Sequence, residues 1–189
     1  MRNFIGYRCS ICAAEYGPDE LTYTCPQDGG NLDVILDYDS LKKKGVDGLV
    51  LEGEPSLWRY QPLLPVADPG GVGTPLRAAG WTPIFSPSSL AEKLKLKSLW
   101  IKDESRNPTA SFKDRASAIL MARAREIGAE VVVTASTGNA GAALAGMAAA
   151  VGHKAVIFAP KTAPPAKIAQ LLVYGAHVLL VDGNYDAAF

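Results

Sequence analysis

From Ser86 onward the chain alternates between helical and strand patterns, and its strand-like runs are apolar without interruption. Val131-Val132-Val133, Ala155-Val156-Ile157-Phe158 and Val178-Leu179-Leu180-Val181 carry no polar side chain. A strand with one face in water alternates polar and apolar residues, whereas an unbroken apolar strand needs cover on both faces. Between these runs lie helix signals. Ser86-Pro87 offers an N-cap with proline at the first helical position, predicting a helix to about Leu96 and then a short strand at Leu99-Trp100-Ile101. Further helices are predicted from about Ser111 to Ile127, closed by Gly128, from about Asn139 to Val151, and from Pro165 to about Tyr174, with Gly175 behind it. Strand and helix thus alternate about four times, which predicts an α/β fold: a parallel sheet with helices on both faces.

The front of the chain follows other rules. Residues 1–36 hold all three cysteines, short alternating runs such as Leu21-Thr22-Tyr23, and the turn signals Gly17-Pro18-Asp19 and Asp28-Gly29-Gly30. They predict a small β-rich, zinc-ribbon-like knuckle. Residues 37–85 are irregular, with Lys42-Lys43-Lys44, Trp58-Arg59-Tyr60 and a stretch dense in Pro and Gly from Pro62 to Pro75; they read as a connecting arm lying on a surface. Three like charges without interleaved aromatics read as a solvated face rather than a nucleic-acid patch. Residues 86–189 form the α/β part, and a new helix has just begun at Asp186-Ala187-Ala188-Phe189. The expectation is that the chain is the front part of a longer polypeptide.

Composition narrows the function. With 189 residues and 48% hydrophobic content the chain can bury one sizeable core, which rules out disorder as its overall state. Nineteen Lys+Arg balance nineteen Asp+Glu, so no bulk electrostatic attraction draws it to nucleic acid or an anionic membrane. The expected partner is a small molecule or another protein. The longest apolar stretch, about Ala140 to Val151, is too short to span a bilayer. The amino terminus, Met1 to Tyr7, lacks a secretory h-region, and the expected location is the cytoplasm.

Three cysteines cannot complete a disulfide framework. Cys9-x-x-Cys12 and Cys25-x-x-Asp28 have zinc-ribbon spacing, with Asp28 in the place of a fourth cysteine. Zinc accepts a carboxylate oxygen, so Cys9, Cys12, Cys25 and Asp28 are candidate ligands of a structural zinc; the other reading is a degenerate ribbon with reduced thiols. Trp58, Trp81 and Trp100 read as core or interface residues, and His153 and His177 lie apart from the cysteines.

In parallel α/β sheets ligands bind in the loops that lead from strand ends into helices. Two such loops are rich in chemistry. The first, Lys102 to Arg115, is long and polar and ends in Lys113 at a helix start. The positive end of a helix dipole disfavours a cation and burial favours the neutral amine, so Lys113 is a candidate nucleophile for a carbonyl; the ordinary reading is a solvated lysine. The second, Thr134 to Gly141, brings hydroxyls, a glycine and an amide to one helix start. Free backbone N–H groups there suit a carboxylate or phosphate, and Asn139 can hydrogen-bond a ring oxygen, against the plainer reading of capping by Ser136 or Thr137. An amine and an anion cradle on neighbouring strands suit an enzyme acting on amino acids through an imine.

Ser105-Arg106-Asn107-Pro108-Thr109-Ala110-Ser111-Phe112-Lys113-Asp114-Arg115 resembles the lysine motif of the threonine synthase family, within the pyridoxal-phosphate enzymes of the tryptophan-synthase-β type (fold type II). Gly80-Trp81-Thr82-Pro83-Ile84 resembles that family's Gly-x-Thr-Pro-Leu motif, with Ile84 where Leu is usual, and Ser136-Thr137-Gly138-Asn139-Ala140-Gly141 resembles its asparagine loop. Ser56-Leu57-Trp58-Arg59-Tyr60 is also similar to a segment of the family, and the resemblance runs over essentially the whole chain. It implies a lyase of threonine biosynthesis that converts O-phospho-L-homoserine and water to L-threonine and phosphate.

By the same resemblance Lys113 holds pyridoxal 5'-phosphate as a Schiff base and then shuttles protons, Phe112 packs near the ring, and Asn139 hydrogen-bonds the cofactor's phenolic oxygen. Ser136, Thr137 and Gly138, with the adjacent N–H groups, would hold the substrate carboxylate. Lys102 or Arg106 would meet the substrate phosphate, unless they form surface ion pairs. The family's Gly-rich phosphate loop and the hydroxyl residue that meets the pyridine nitrogen are absent before Phe189, so the isolated chain is expected to be inactive. A serine/threonine dehydratase or another β-eliminase of the superfamily, and a non-catalytic interaction module, are the competing readings. Oligomeric state is open, a homodimer being one expectation.

Overall fold

The computed structural model describes residues 3–20, 23–45 and 47–188. Leu21 and Thr22 of the alternating run, Met1-Arg2 and Phe189 lie outside the described residues. The knuckle is a three-stranded antiparallel sheet, β1 (Phe4–Cys9) lying between β2 (Glu15–Tyr16) and β3 (Leu32–Leu36). Phe4, Gly6 and Cys9 turn inward. Gly6 sits at φ +155° where the β1–β3 register shifts, and a Cβ there would strike the Tyr16 carbonyl, so only glycine lets the strands meet.

Helix α1 (Tyr38–Lys44) follows, started by the Asp37 carboxylate, which accepts from the Ser40 N–H at 2.9 Å. The three lysines fill its last turn and are exposed, as a solvated run should be; cations suit that end of the helix dipole. The rest of the arm corrects the sequence reading. A 3₁₀ segment, Leu57–Leu63, and a short helix α2 (Pro75–Ala78) place Trp58, Val66, Leu76 and Ala79 at no more than 1% exposure, inside the main core. The Trp58 indole N–H donates to the Leu76 carbonyl at 3.0 Å, which satisfies the polar atom that burial would strand. The arm is an inner layer because its large apolar groups are scattered among turns, where no periodicity reveals them.

A second correction concerns the strand expected at Leu99-Trp100-Ile101. After helix α3 (Ser88–Lys93), the extended segment is β5 (Ile101–Lys102), and it pairs antiparallel with β4 (Ile84–Phe85), outside the parallel sheet. Trp100 and Ile101 are exposed, whereas a strand of the parallel sheet would be covered. Trp81 is exposed too, so of the three tryptophans Trp58 is the core residue.

The parallel sheet itself is present. Its order is β6 (Val131–Ala135), β7 (Lys154–Pro160), β8 (His177–Val181), with Val133 opposite Val156 and Phe158 opposite Leu179. Helix α4 (Lys113–Glu126) precedes β6, α5 (Asn139–Ala150) joins β6 to β7, α6 (Pro165–Val173) joins β7 to β8, and α7 (Tyr185–Ala188) follows. Both crossovers step the same way across the sheet, and right-handed crossovers then put both helices on one face. Val132, Ala155, Ile157 and Ala159 point to that face and are buried there. Val131, Val133 and Leu179 on the opposite face are exposed among the described residues, so cover on both faces is not what these residues alone provide.

Helix α5 is built almost wholly from Ala and Gly, which lets α4 lie close against it, with Met121 and Met147 fully buried. Among the described residues no helix is long and apolar enough to cross a membrane.

Candidate active site

Helix α4 returns to the sheet through the short connection 127–130, so it runs antiparallel to β6, as α5 does. The first turns of α4 and α5 therefore open at the same end of the sheet, the carboxyl end of β6. Lys113 is the first residue of one, Asn139 of the other. The loop before Lys113 lies directly on α5: a Cβ at Gly146 would come within 2.5 Å of the Thr109 methyl group, so the close approach depends on glycine. The lysine loop is thus packed on α5, the helix that the Thr134–Gly141 loop leads into.

Local chemistry fixes the lysine loop. The buried Ser111 hydroxyl accepts from the Lys113 N–H at 3.1 Å and starts the helix. Asp114 is fully buried. Its carboxylate accepts from the Thr109 N–H at 2.7 Å and from the Thr109 hydroxyl, tying the loop to the first turn, where an anion suits the dipole. The Lys113 and Phe112 side chains both point outward and are exposed, so the burial expected around the amine is not supplied by these residues. Among the described residues the Lys113 amine has no hydrogen-bond or ion-pair partner.

In the second loop Ser136 and Thr137 are half-buried, and Gly138 and Asn139 exposed. The plainer reading, capping of α5 by Ser136 or Thr137, is not found among the described residues. The Ser136 hydroxyl accepts from the Gly138 N–H at 3.2 Å, a turn bond outside the helix, and Gly138 stands at the N-cap with no side chain to offer. Among the described residues the N–H groups of Asn139, Ala140 and Gly141 have no acceptor, which is the donor set an anion needs. A Cβ at Gly141 would fall on the Ser136 carbonyl oxygen, so the loop folds back onto the helix start because that position is glycine.

A polar network that sequence reasoning missed joins the Thr82 loop to the lysine loop. Glu104 accepts two bonds from Arg115, each 2.8 Å, one from the Thr82 hydroxyl at 2.8 Å and one from the Asn107 amide at 2.8 Å. The side-chain amide oxygen of the buried Asn107 in turn accepts from the Gly80 N–H at 2.9 Å. Ser56, Arg59, Tyr60, Trp81, Lys102 and Arg115 line a cavity of about 660 Å³ beside this network. Lys102 donates to the Thr82 carbonyl there at 2.9 Å, and Arg59 stacks over Trp81 at 4.4 Å. Arg106 is exposed and lies outside that cavity. At the other end of the chain Cys9, Cys12, Cys25 and Asp28 come together, separate from Lys113 and Asn139.

The Arg115 guanidinium holds the Glu104 carboxyl down to about 2, from an ordinary 4.5, helped by Thr82 and Asn107. A depressed carboxyl stabilises the fold fully above its unfolded value and loses that contribution as pH falls through its folded value. Glu104→Gln is therefore expected to cost about 1–2 kcal/mol at neutral pH, less than the whole shift because the pair reaches solvent. The gap between the two proteins should shrink below pH 4.5 and close near pH 2. Urea midpoints measured down that pH range check it; a gap that stays constant overturns it.

Residues 76–189 match the family described as pyridoxal-phosphate dependent enzyme. The threonine synthase of Methanocaldococcus jannaschii is 40% identical over 96% of this chain, and that of Methanosarcina acetivorans 43% identical over 96%. The chain spans 44% of the length of each of these relatives. Among solved structures, the processed form of threonine deaminase isoform 2 from Solanum lycopersicum superimposes with a TM-score of 0.55 at 28% identity, over 62% of this chain and 33% of that one.

Proposed function

This chain belongs to the pyridoxal-phosphate dependent enzyme family, and from that premise we propose that the protein carrying it is a threonine synthase, forming L-threonine and phosphate from O-phospho-L-homoserine and water. What supports the choice within the family is the reach of the similarity. The likeness to threonine synthases runs through the knuckle and arm, over 96% of the chain, whereas that to the deaminase structure takes in 62%. In this reading the parallel sheet belongs to a fold type II sheet with helices on both faces. Residues 1–36, 37–85 and 86–189 are its knuckle, arm and catalytic layer.

The residues present fit the cofactor. A lysine amine without a partner among the described residues stands at the start of α4, and a helix start with a glycine-made cradle opens at the same end of the sheet. Lys113 would hold the cofactor covalently, Phe112 would lie against its ring, and the Asn139 amide would donate to its phenolic oxygen. When bound, the cofactor supplies an electron sink for carbanions at the substrate carbons. The chain's residues supply position and protons. Ser136, Thr137 and Gly138, with the open N–H groups behind them, hold the substrate carboxylate. Lys113 Nζ would take and return protons at the substrate carbons as a general base. The Glu104 network keeps Lys113 in register with the Thr82 loop.

The complete protein should release phosphate from O-phospho-L-homoserine in step with threonine formation. Its kcat/KM for that substrate should exceed that for serine deamination by about 100-fold or more, as expected where a site built for a polar group meets a substrate lacking it. Deamination of serine or threonine without phosphate release assigns the protein to the dehydratases instead.

A further inference from the structure

The knuckle contains the same turn twice. The Cys9 N–H donates to the Ala14 carbonyl at 2.9 Å and the Ala13 N–H to the Cys9 carbonyl at 3.1 Å, with Ala13 at φ +59°. Sixteen positions later the Cys25 N–H donates to the Gly30 carbonyl at 2.9 Å and the Gly29 N–H to the Cys25 carbonyl at 2.9 Å, with Gly29 at φ +71°. Each turn presents a first residue, Cys9 or Cys25, and a fourth, Cys12 or Asp28. Asp28 thus occupies in space, as well as in spacing, the place that Cys12 occupies in the first turn. A left-handed conformation at Ala13 is uncommon for a residue with a Cβ, and the fold accepts it to complete the pair.

The four side chains converge. Their ligand atoms all lie within 4.8 Å of one another. Cys12 Sγ and Cys25 Sγ are 3.7 Å apart, and Cys9 Sγ lies 3.3 and 3.6 Å from the two Asp28 oxygens. A tetrahedral zinc with Zn–S near 2.3 Å and Zn–O near 2.0 Å would set sulfur–sulfur edges of roughly 3.8 Å and sulfur–oxygen edges of roughly 3.5 Å. Three of the four groups also have a donor behind them, which is how ligands are oriented. The Ile11 N–H donates to Cys9 at 3.3 Å, the Tyr16 hydroxyl lies 3.0 Å from Cys25, and the Gly30 N–H donates to Asp28 at 2.8 Å. A Cβ at Gly30 would come 2.7 Å from Cys9 Sγ, so that position leaves the cluster its room.

We propose that Cys9, Cys12, Cys25 and Asp28 bind one structural zinc ion through three thiolates and one carboxylate oxygen. Binding displaces the protons of the thiols to solvent and changes no oxidation state. The ion closes the two turns on each other, and the knuckle so fixed is fastened to the catalytic layer. Arg123 of α4 donates to the Pro18 carbonyl and pairs with Asp19 at 3.6 Å, while the Asn3 amide ties the knuckle to the arm by donating to the Pro62 carbonyl at 2.7 Å. A three-strand sheet of this size has little core of its own, and a metal is a common supplement.

Cobalt(II) titration of the reduced, metal-stripped chain tests the site directly. Thiolate-to-cobalt charge transfer with the strong visible bands of four-coordinate cobalt is expected, displaced by about one equivalent of zinc. Asp28→Ala should weaken zinc by at least the roughly 10–100-fold that loss of an outer partner costs. Asp28→Cys, which completes a four-cysteine set in the same turn, should bind at least as tightly as the natural sequence. Absence of charge-transfer bands in the natural sequence overturns the proposal, all the more plainly if Asp28→Cys shows them. Unchanged zinc affinity in Asp28→Ala overturns the carboxylate's place in it.

Discussion

Lys113→Ala in the complete protein should lower turnover of O-phospho-L-homoserine by about 10⁴-fold or more while leaving the fold intact. The two halves of that expectation have separate origins. The amine is exposed and has no partner among the described residues, so truncation removes no hydrogen bond or ion pair, and such surface changes fall within about 0.5 kcal/mol. Helix α4 starts on Ser111 and Asp114, which the substitution leaves in place. The loss is therefore chemical: the covalent hold on the cofactor and the proton carrier vanish together. Borohydride reduction in the presence of pyridoxal phosphate, followed by peptide mapping, should place the added mass on the Lys113 peptide in the natural protein and nowhere in the variant. Retained function with unchanged thermal unfolding would remove the enzyme reading and leave an interaction module.

Gly141→Ala should damage both stability and activity, and its neighbour supplies the control. A Cβ at Gly141 meets the Ser136 carbonyl oxygen, with the carbonyl carbon 3.1 Å away, and backbone cannot swing aside as a flexible side chain can. Either the start of α5 or the 136–138 loop must move. Overpacking of this kind costs about 1–3 kcal/mol, and a displacement on the order of 1 Å at a binding loop costs about 100-fold in rate. Gly138→Ala adds a Cβ whose nearest neighbour is the Ser136 hydroxyl at 3.9 Å, in extended backbone that alanine also adopts, and should cost less than about 0.5 kcal/mol. Denaturant midpoints and kcat/KM for the two variants check the contrast; equal losses would mean that the cradle is not what glycine 141 provides.

The contrast between what was legible and what was not follows the range of the interactions. Continuous apolar runs at Val131, Ala155 and Val178 announce strands, and glycines 128 and 175 announce helix ends, because each depends on residues a few positions apart. Lys113 and Asn139 could be placed at helix starts for the same reason. Ile101–Lys102 could not be placed, since two residues carry too little pattern to separate a covered parallel strand from an exposed antiparallel one. Trp58 was open to either a core or an interface reading until the structure showed Leu76 and Ala79 folding back over it. Glu104, with partners at positions 82, 107 and 115, obeys no helical or strand period. An acidic residue in a first helical turn, as at Asp114, was the one local hint of the polar ties around the lysine.

The ties around Glu104 also decide how the region opens. Gly80 gives its N–H to Asn107, Asn107 its amide to Glu104, and Glu104 is held by an arginine in the first turn of α4. Amide exchange reports such arrangements as cooperative units, in which no member becomes exposed until the unit unfolds as a whole. The Gly80–Thr82 loop, which carries no regular structure of its own, is thereby tied to the first turn of α4, and the Gly80 amide should exchange no faster than that turn frays.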